Sequence, residues 1–151
     1  MSLLSQTGEY ALRAVVWLAS QPEKPMTVQA IAEGTQVPPS YLSKVLQTLG
    51  RAGLVRSQRG LGGGFILTRG PAEISALEVI NAVDPLQRIH ACPLGLRQHK
   101  EQLCPLHRRL DDTVAQMERS FGEVSVAALL GEGDGDGQVS PLGAKPPRVK
   151  P

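Results

Sequence analysis

Aromatic side chains are scarce: two tyrosines, two phenylalanines and one tryptophan make up 3% of the 151 residues. Any core must therefore be aliphatic, and with 41% hydrophobic and 20% charged residues it can be real though modest. No apolar run approaches the roughly 20 residues that cross a bilayer. The opening MSLLSQTGEYALR lacks the basic, apolar and small-residue blocks of an export signal. Both absences point to the cytoplasm and away from membranes. The two cysteines would be kept reduced there. There is no H-E-x-x-H, no nucleophile elbow and no triad, so the chain does not read as an enzyme. The glycine run 62–64 is followed by neither the Lys of a phosphate-binding loop nor the helix of a dinucleotide fingerprint.

One further absence is local. Between Glu33 and Glu73 there is no carboxylate, and every charge is positive: Lys44, Arg51, Arg56, Arg59 and Arg69. The net charge is only +2, so this run is a basic patch in a near-neutral protein, as a phosphate-binding surface requires. A solvated basic face is the plainer alternative, and the surrounding motifs favour the first.

Residues 10–20 predict a helix, with Leu12, Val15, Val16 and Ala19 on one face. The segment QPEKP breaks it. Thr27 is a candidate N-cap for a short second helix ended by Gly34. A third helix opens near Ser40. Its buried stripe is Leu42, Val45, Leu46 and Leu49, and its outer face carries Ser43, Lys44, Gln47 and Arg51. Small, amide and cationic side chains without carboxylates suit a DNA major groove. LVRSQRGLGGGFIL then reads as two strands around a glycine turn. Helix, short helix, turn, helix, hairpin is the order of a winged helix-turn-helix, the hairpin being the wing.

After the wing, Ser75 and Glu78 form a capping box before a fourth helix ended by Pro85, with Leu77, Ile80 and Val83 predicted to pack on the first domain. Residues 86–102 are irregular and carry Cys92. A helix over 105–121 follows, where Leu103, His107, Leu110, Val114, Met117 and Phe121 recur at spacings of four and three, a heptad-like seam for a partner helix. Packing within one chain is the alternative. Gly122 is expected to stop this helix, and Ser125 to cap a last short one. The expected fold is mainly α with a small β-wing. A winged helix-turn-helix domain spans 1–84 and a sensor loop 85–104. A dimerisation helix with its short terminal helix covers 105–130, and a Gly/Pro-rich disordered tail 131–151.

GEYALRAVVWLA, PSYLSKVLQTLGRAGLVRSQRGLGGGFIL and ALEVINAVD resemble the Rrf-type (IscR/NsrR/CymR-like) winged-helix transcriptional regulators over about residues 3–130. The resemblance implies dimerisation through a long helix, binding to palindromic promoter DNA and a sensing site. In cluster-binding members three cysteines are spaced C-x5-C-x5-C. Here Cys92 and Cys104 keep the outer separation, but the middle position is Gln98, with His99 beside it. By that resemblance His107 matches a histidine ligand of some two-iron two-sulfur members. Glu9 stands where some members use a carboxylate from the other subunit. Cys92, Cys104, His107 and Glu9, with His99 as substitute, form the candidate ligand set for an iron–sulfur cluster. A cofactor-free regulator, a thiol switch and a zinc site are the alternatives. Cluster-dependent members can carry a glutamate on the recognition helix where Ser43 stands, so their promoter preference does not transfer.

The residues expected to meet DNA are Thr27, Ser40, Tyr41, Ser43, Lys44, Gln47, Arg51, Arg56, Arg59, Gly62 and Gly63. Those expected in the dimer seam are Leu110, Val114, Met117 and Phe121. The partners are double-stranded DNA and a second copy of the chain. A winged-helix module that binds protein instead of DNA is the rival function.

Overall fold

The computed structural model describes residues 3–97 and 102–131. Helix α1 (Gln6–Ala19) starts earlier than the apolar spacing predicts, because Ser5 caps it by accepting from the Gly8 amide at 3.1 Å. Helix α2 (Val28–Thr35) begins at Thr27, whose hydroxyl accepts from the Ala30 amide at 3.2 Å, as expected. It does not stop at Gly34. The left-handed residue is Gln36, at φ 58°. Gly34 answers a packing need instead: a Cβ there would run into the Trp17 indole.

Helix α3 (Pro39–Arg51) starts at a proline in its first turn, one residue before Ser40. Leu42, Val45, Leu46 and Leu49 are all buried, as their spacing predicts. Each fully buried aliphatic side chain is worth roughly 1.5–3 kcal/mol over exposure, so this stripe fixes which face of α3 looks outward. Strands β1 (Val55–Gln58) and β2 (Gly64–Leu67) pair antiparallel with Val55 opposite Leu67 and Gln58 opposite Gly64. Phe65 exchanges two backbone hydrogen bonds with Met26, at 2.9 and 2.7 Å, strapping the hairpin to the segment before α2. A Cβ on Gly64 would strike the Met26 backbone, so only glycine permits that approach.

A short 3-10 turn (Pro71–Glu73) leads into α4 (Ala76–Val83), which has the expected reciprocal capping box between Ser75 and Glu78. Its buried residues are Ala76, Val79 and Ile80. Leu77 stands in a cleft with Ala52 and Leu54 of the first domain and also reaches the next helix. Leu77 is half-buried and faces α5 (Pro105–Gly122), its Cδ2 lying 3.5 Å from where a Cβ on Gly122 would sit. Gly122 is the last residue of α5, and Glu123 caps it. Ser125 caps α6 (Val126–Leu129) as predicted, and Val126 is fully buried. Backbone hydrogen bonds of 2.8 Å join Ala76 to Val124 and Val126 to Ile74, docking the end of α5 onto the body. The core is aliphatic throughout, with Tyr10, Trp17, Tyr41 and Phe65 at its margin. Residues 132–151, expected to form a disordered tail, lie outside the described residues.

Candidate nucleic-acid interface

Because α3 buries one stripe, the opposite side is open. Ser40, Lys44, Gln47 and Arg51 are exposed and Ser43 is half-exposed. The Ser43 hydroxyl donates to the Pro39 carbonyl at 3.0 Å, which leaves its lone pairs to accept. Tyr41 is used differently. Its hydroxyl shares a 2.7 Å hydrogen bond with Thr7, and its ring meets Tyr10 edge-on at 5.2 Å. Arg13 lies over the Tyr10 ring at 5.9 Å. Tyr41 is therefore a strut that sets α3 against α1.

The wing stands beside this face. Arg56, on β1, and Arg59, at its end, are exposed. Their fellow cation Arg69 is not available in the same way. Its guanidinium donates to Glu78 at 2.7 Å and to the Glu73 carbonyl at 3.0 Å. The first of these bonds, with the Ser75 amide behind it, holds the Glu78 carboxyl below its ordinary range. Gly62 and Gly63 join Thr27, Lys24 and Trp17 around a groove of about 640 Å³ between the wing and the start of α2. Lys24 and Arg13 lie outside the run of like charge, between carboxylates in sequence, so charge counting passes over them.

Helix α5 has no buried residue. On its seam Leu110 is 46% exposed, and Val114, Met117 and Phe121 are half-exposed. The loop before it is tied down. Arg88 donates twice to Asp111 at 2.7 Å and once to Glu118 at 3.3 Å, and the Ile89 amide donates to Asp111 at 2.8 Å. The Arg88 hydrogen bonds, followed by that amide, hold the Asp111 carboxyl far below the usual carboxylate range.

Of the candidate metal ligands, Cys104 and His107 are brought together, Sγ to Nδ1 at 3.2 Å, in the first turn of α5. Cys92 and Glu9 do not join them: among the described residues no three His, Cys, Asp or Glu side chains gather as a metal site. The donors brought together among the described residues of one chain, Cys104 and His107, do not make up a four-ligand cluster. Gln98 and His99 lie outside the described residues.

The family whose sequence profile matches residues 4–132 is Rrf2, described as an iron-dependent transcriptional regulator. A protein of Azotobacter vinelandii named as an HTH-type transcriptional regulator is 31% identical over 132 residues, covering 87% of this chain and 80% of its own. One from Synechocystis is 40% identical over 82 residues, which span 54% of this chain and 56% of that protein. Among solved structures, CymR, the global cysteine regulator of B. subtilis, superposes with a TM-score of 0.72 at 26% identity, covering 89% of this chain and all of the other. T. potens IscR shares the fold, with a TM-score of 0.73 at 24% identity over 91% of this chain and 92% of the other. Among the described residues no helix is long and apolar enough to cross a membrane. The chain belongs to the Rrf2 family of DNA-binding transcriptional regulators, winged-helix proteins and not enzymes.

Proposed function

We propose that the chain works in the cytoplasm as a homodimeric repressor that binds a palindromic operator and responds to a redox or iron-linked signal. The observation that carries the DNA reading is the open, carboxylate-free face of α3 beside the cationic wing. Residues 1–84 form the reading head, 85–104 the sensing segment and 105–130 the dimer element. Ser40, Ser43, Lys44 and Gln47 contact base edges and phosphates. Arg51 and Arg56 neutralise phosphates, and Arg59 with the glycine turn reaches the minor groove. Thr27 places the first turn of α2 against the backbone. Pairing through Leu110, Val114, Met117 and Phe121 sets two recognition helices on the order of 34 Å apart, one DNA turn. The exposed apolar seam supports this pairing.

The donor set favours the Cys104–His107 pair as the sensing chemistry over a complete cluster. A change at that pair has a path to the reading head, since α5 packs on α4, and α4 on α1 and α3. Selection of duplexes from a random pool by the full-length chain tests the DNA reading. An enriched inverted repeat is expected, and a pool that stays random overturns it. Anaerobic purification with absorption spectra and iron and sulfide analysis tests the sensor. Stoichiometric iron and sulfide would overturn the thiol–imidazole reading, and iron-free protein whose operator binding changes on thiol oxidation would support it.

A further inference from the structure

The wing apex carries a side chain for which the fold has no use. Residues 60–64 are Gly60, Leu61, Gly62, Gly63 and Gly64, so Leu61 is the one side chain among them. The Gly63 amide closes the turn by donating to the Gly60 carbonyl at 3.0 Å, with φ of 98° at Gly60 and 72° at Gly62. Leu61 is 108% exposed, so nothing among the described residues covers it. Lone exposed apolar residues are ordinary on protein surfaces. This one differs in its setting: it stands at the hairpin apex, two residues after Arg59, at the end of the arm that carries Arg56. Leu106 and Leu110, also exposed, lie on α5, the helix offered to a second copy.

We propose that Leu61 is an apolar wedge that enters the DNA minor groove when α3 occupies the neighbouring major groove. This rests on the DNA reading above and goes beyond it by assigning a contact and a sequence preference. The minor groove is only about 6 Å wide, so a tip must be thin to enter it. The glycines keep this tip to backbone width, and a Cβ at Gly63 would strike the Gln58 and Gly60 carbonyls. Arg56 and Arg59, both exposed on the arm before the apex, draw one phosphate strand toward that side and leave the leucine facing sugar and base edges. An apolar side chain there parts the base stack and bends the duplex. Pyrimidine–purine steps open at least cost, so the wedge favours such a step opposite each wing.

The test uses the full-length chain, a duplex it selects, and fluorescence anisotropy over a range of salt. Leu61→Ala is expected to bind about five-fold more weakly, the scale of a partly buried apolar side chain, with an unchanged salt slope because no charge is lost. Leu61→Met is expected to restore most of the affinity. With 2-aminopurine placed in turn at flanking steps, wild-type protein should brighten one step, and Leu61→Ala should not. Wild-type affinity for Leu61→Ala, with no brightening at any step, would overturn the wedge and leave DNA binding intact. A wild-type chain that selects no duplex would overturn both.

Discussion

Arg59 and Arg69 belong to the same run of positive charge, but the fold separates them, and salt titration can tell them apart. Lys44, Arg51, Arg56 and Arg59 are exposed and form no ion pair among the described residues, whereas Arg69 is held by Glu78 and Glu73. In the proposed dimer, these four cations per subunit, each neutralising one phosphate, would give a log–log slope of affinity against salt of about −7. Affinity should then fall about four decades between roughly 50 and 200 mM salt. Arg59→Ala removes two contacts per dimer, so the slope should flatten by roughly 1.8 and the fall should shrink by about one decade. Arg69→Ala should leave the slope alone and act on stability. The Arg69–Glu78 pair is 41% and 43% exposed at its two side chains. Solvent screening therefore limits the loss to at most about 1 kcal/mol. The Glu78 carboxyl is depressed in the folded state, so its stabilisation is present at neutral pH and is lost as pH falls from its ordinary 4.5 through the folded value. Arg69→Ala should be less stable near pH 7, with the difference closing in acid. A slope that flattens equally in both variants, or in neither, would refute the division of this patch into free and engaged cations.

Three other perturbations follow from the packing. Asp111→Ala frees Arg88 and the Ile89 amide, so hydrogen exchange at Ile89 should accelerate at neutral pH, as it should in wild-type protein only when acid protonates the depressed carboxyl. Gly34→Ala drives a Cβ into Trp17, the single tryptophan of the chain; its emission should shift and urea denaturation should show a loss of about 1–3 kcal/mol. Replacing Leu110 by Asp should leave the fold intact, since that side chain is already 46% exposed, and should produce monomers in sedimentation analysis. A Leu110→Asp dimer would move the interface elsewhere.

What could be read from the chain beforehand follows a physical boundary. Features decided within about four residues were legible. The stripe Leu42, Val45, Leu46 and Leu49, the box between Ser75 and Glu78, and the caps at Thr27 and Ser125 depend on helical spacing and on amides a turn away. Features decided across the chain were not. Gly34 looks like a helix stop until Trp17 is seen against it. The Tyr41 hydroxyl looks free until Thr7, 34 residues away, is seen within hydrogen-bond distance of it.

The same boundary runs through both candidate sites. A run of cations is a local fact, but which of them remain available depends on acids far along the chain. Arg69 is lost to Glu78, nine residues away, while Arg13 and Lys24 go unnoticed among carboxylates. Cys104 and His107 meet because they stand three positions apart at the start of α5, a spacing that brings side chains together. Cys92 sits in irregular chain, where a matching separation from Cys104 carries no geometry with it. Spacing borrowed from relatives implies a shared ligand set only if the backbone between the ligands is also shared. The middle position of the borrowed spacing is Gln98 here, and among the described residues no third His, Cys, Asp or Glu side chain joins Cys104 and His107. The face of α3 rests on a buried aliphatic stripe, whereas the segment before α5 is held to that helix by polar contacts, among them those of Arg88 and the Ile89 amide with Asp111.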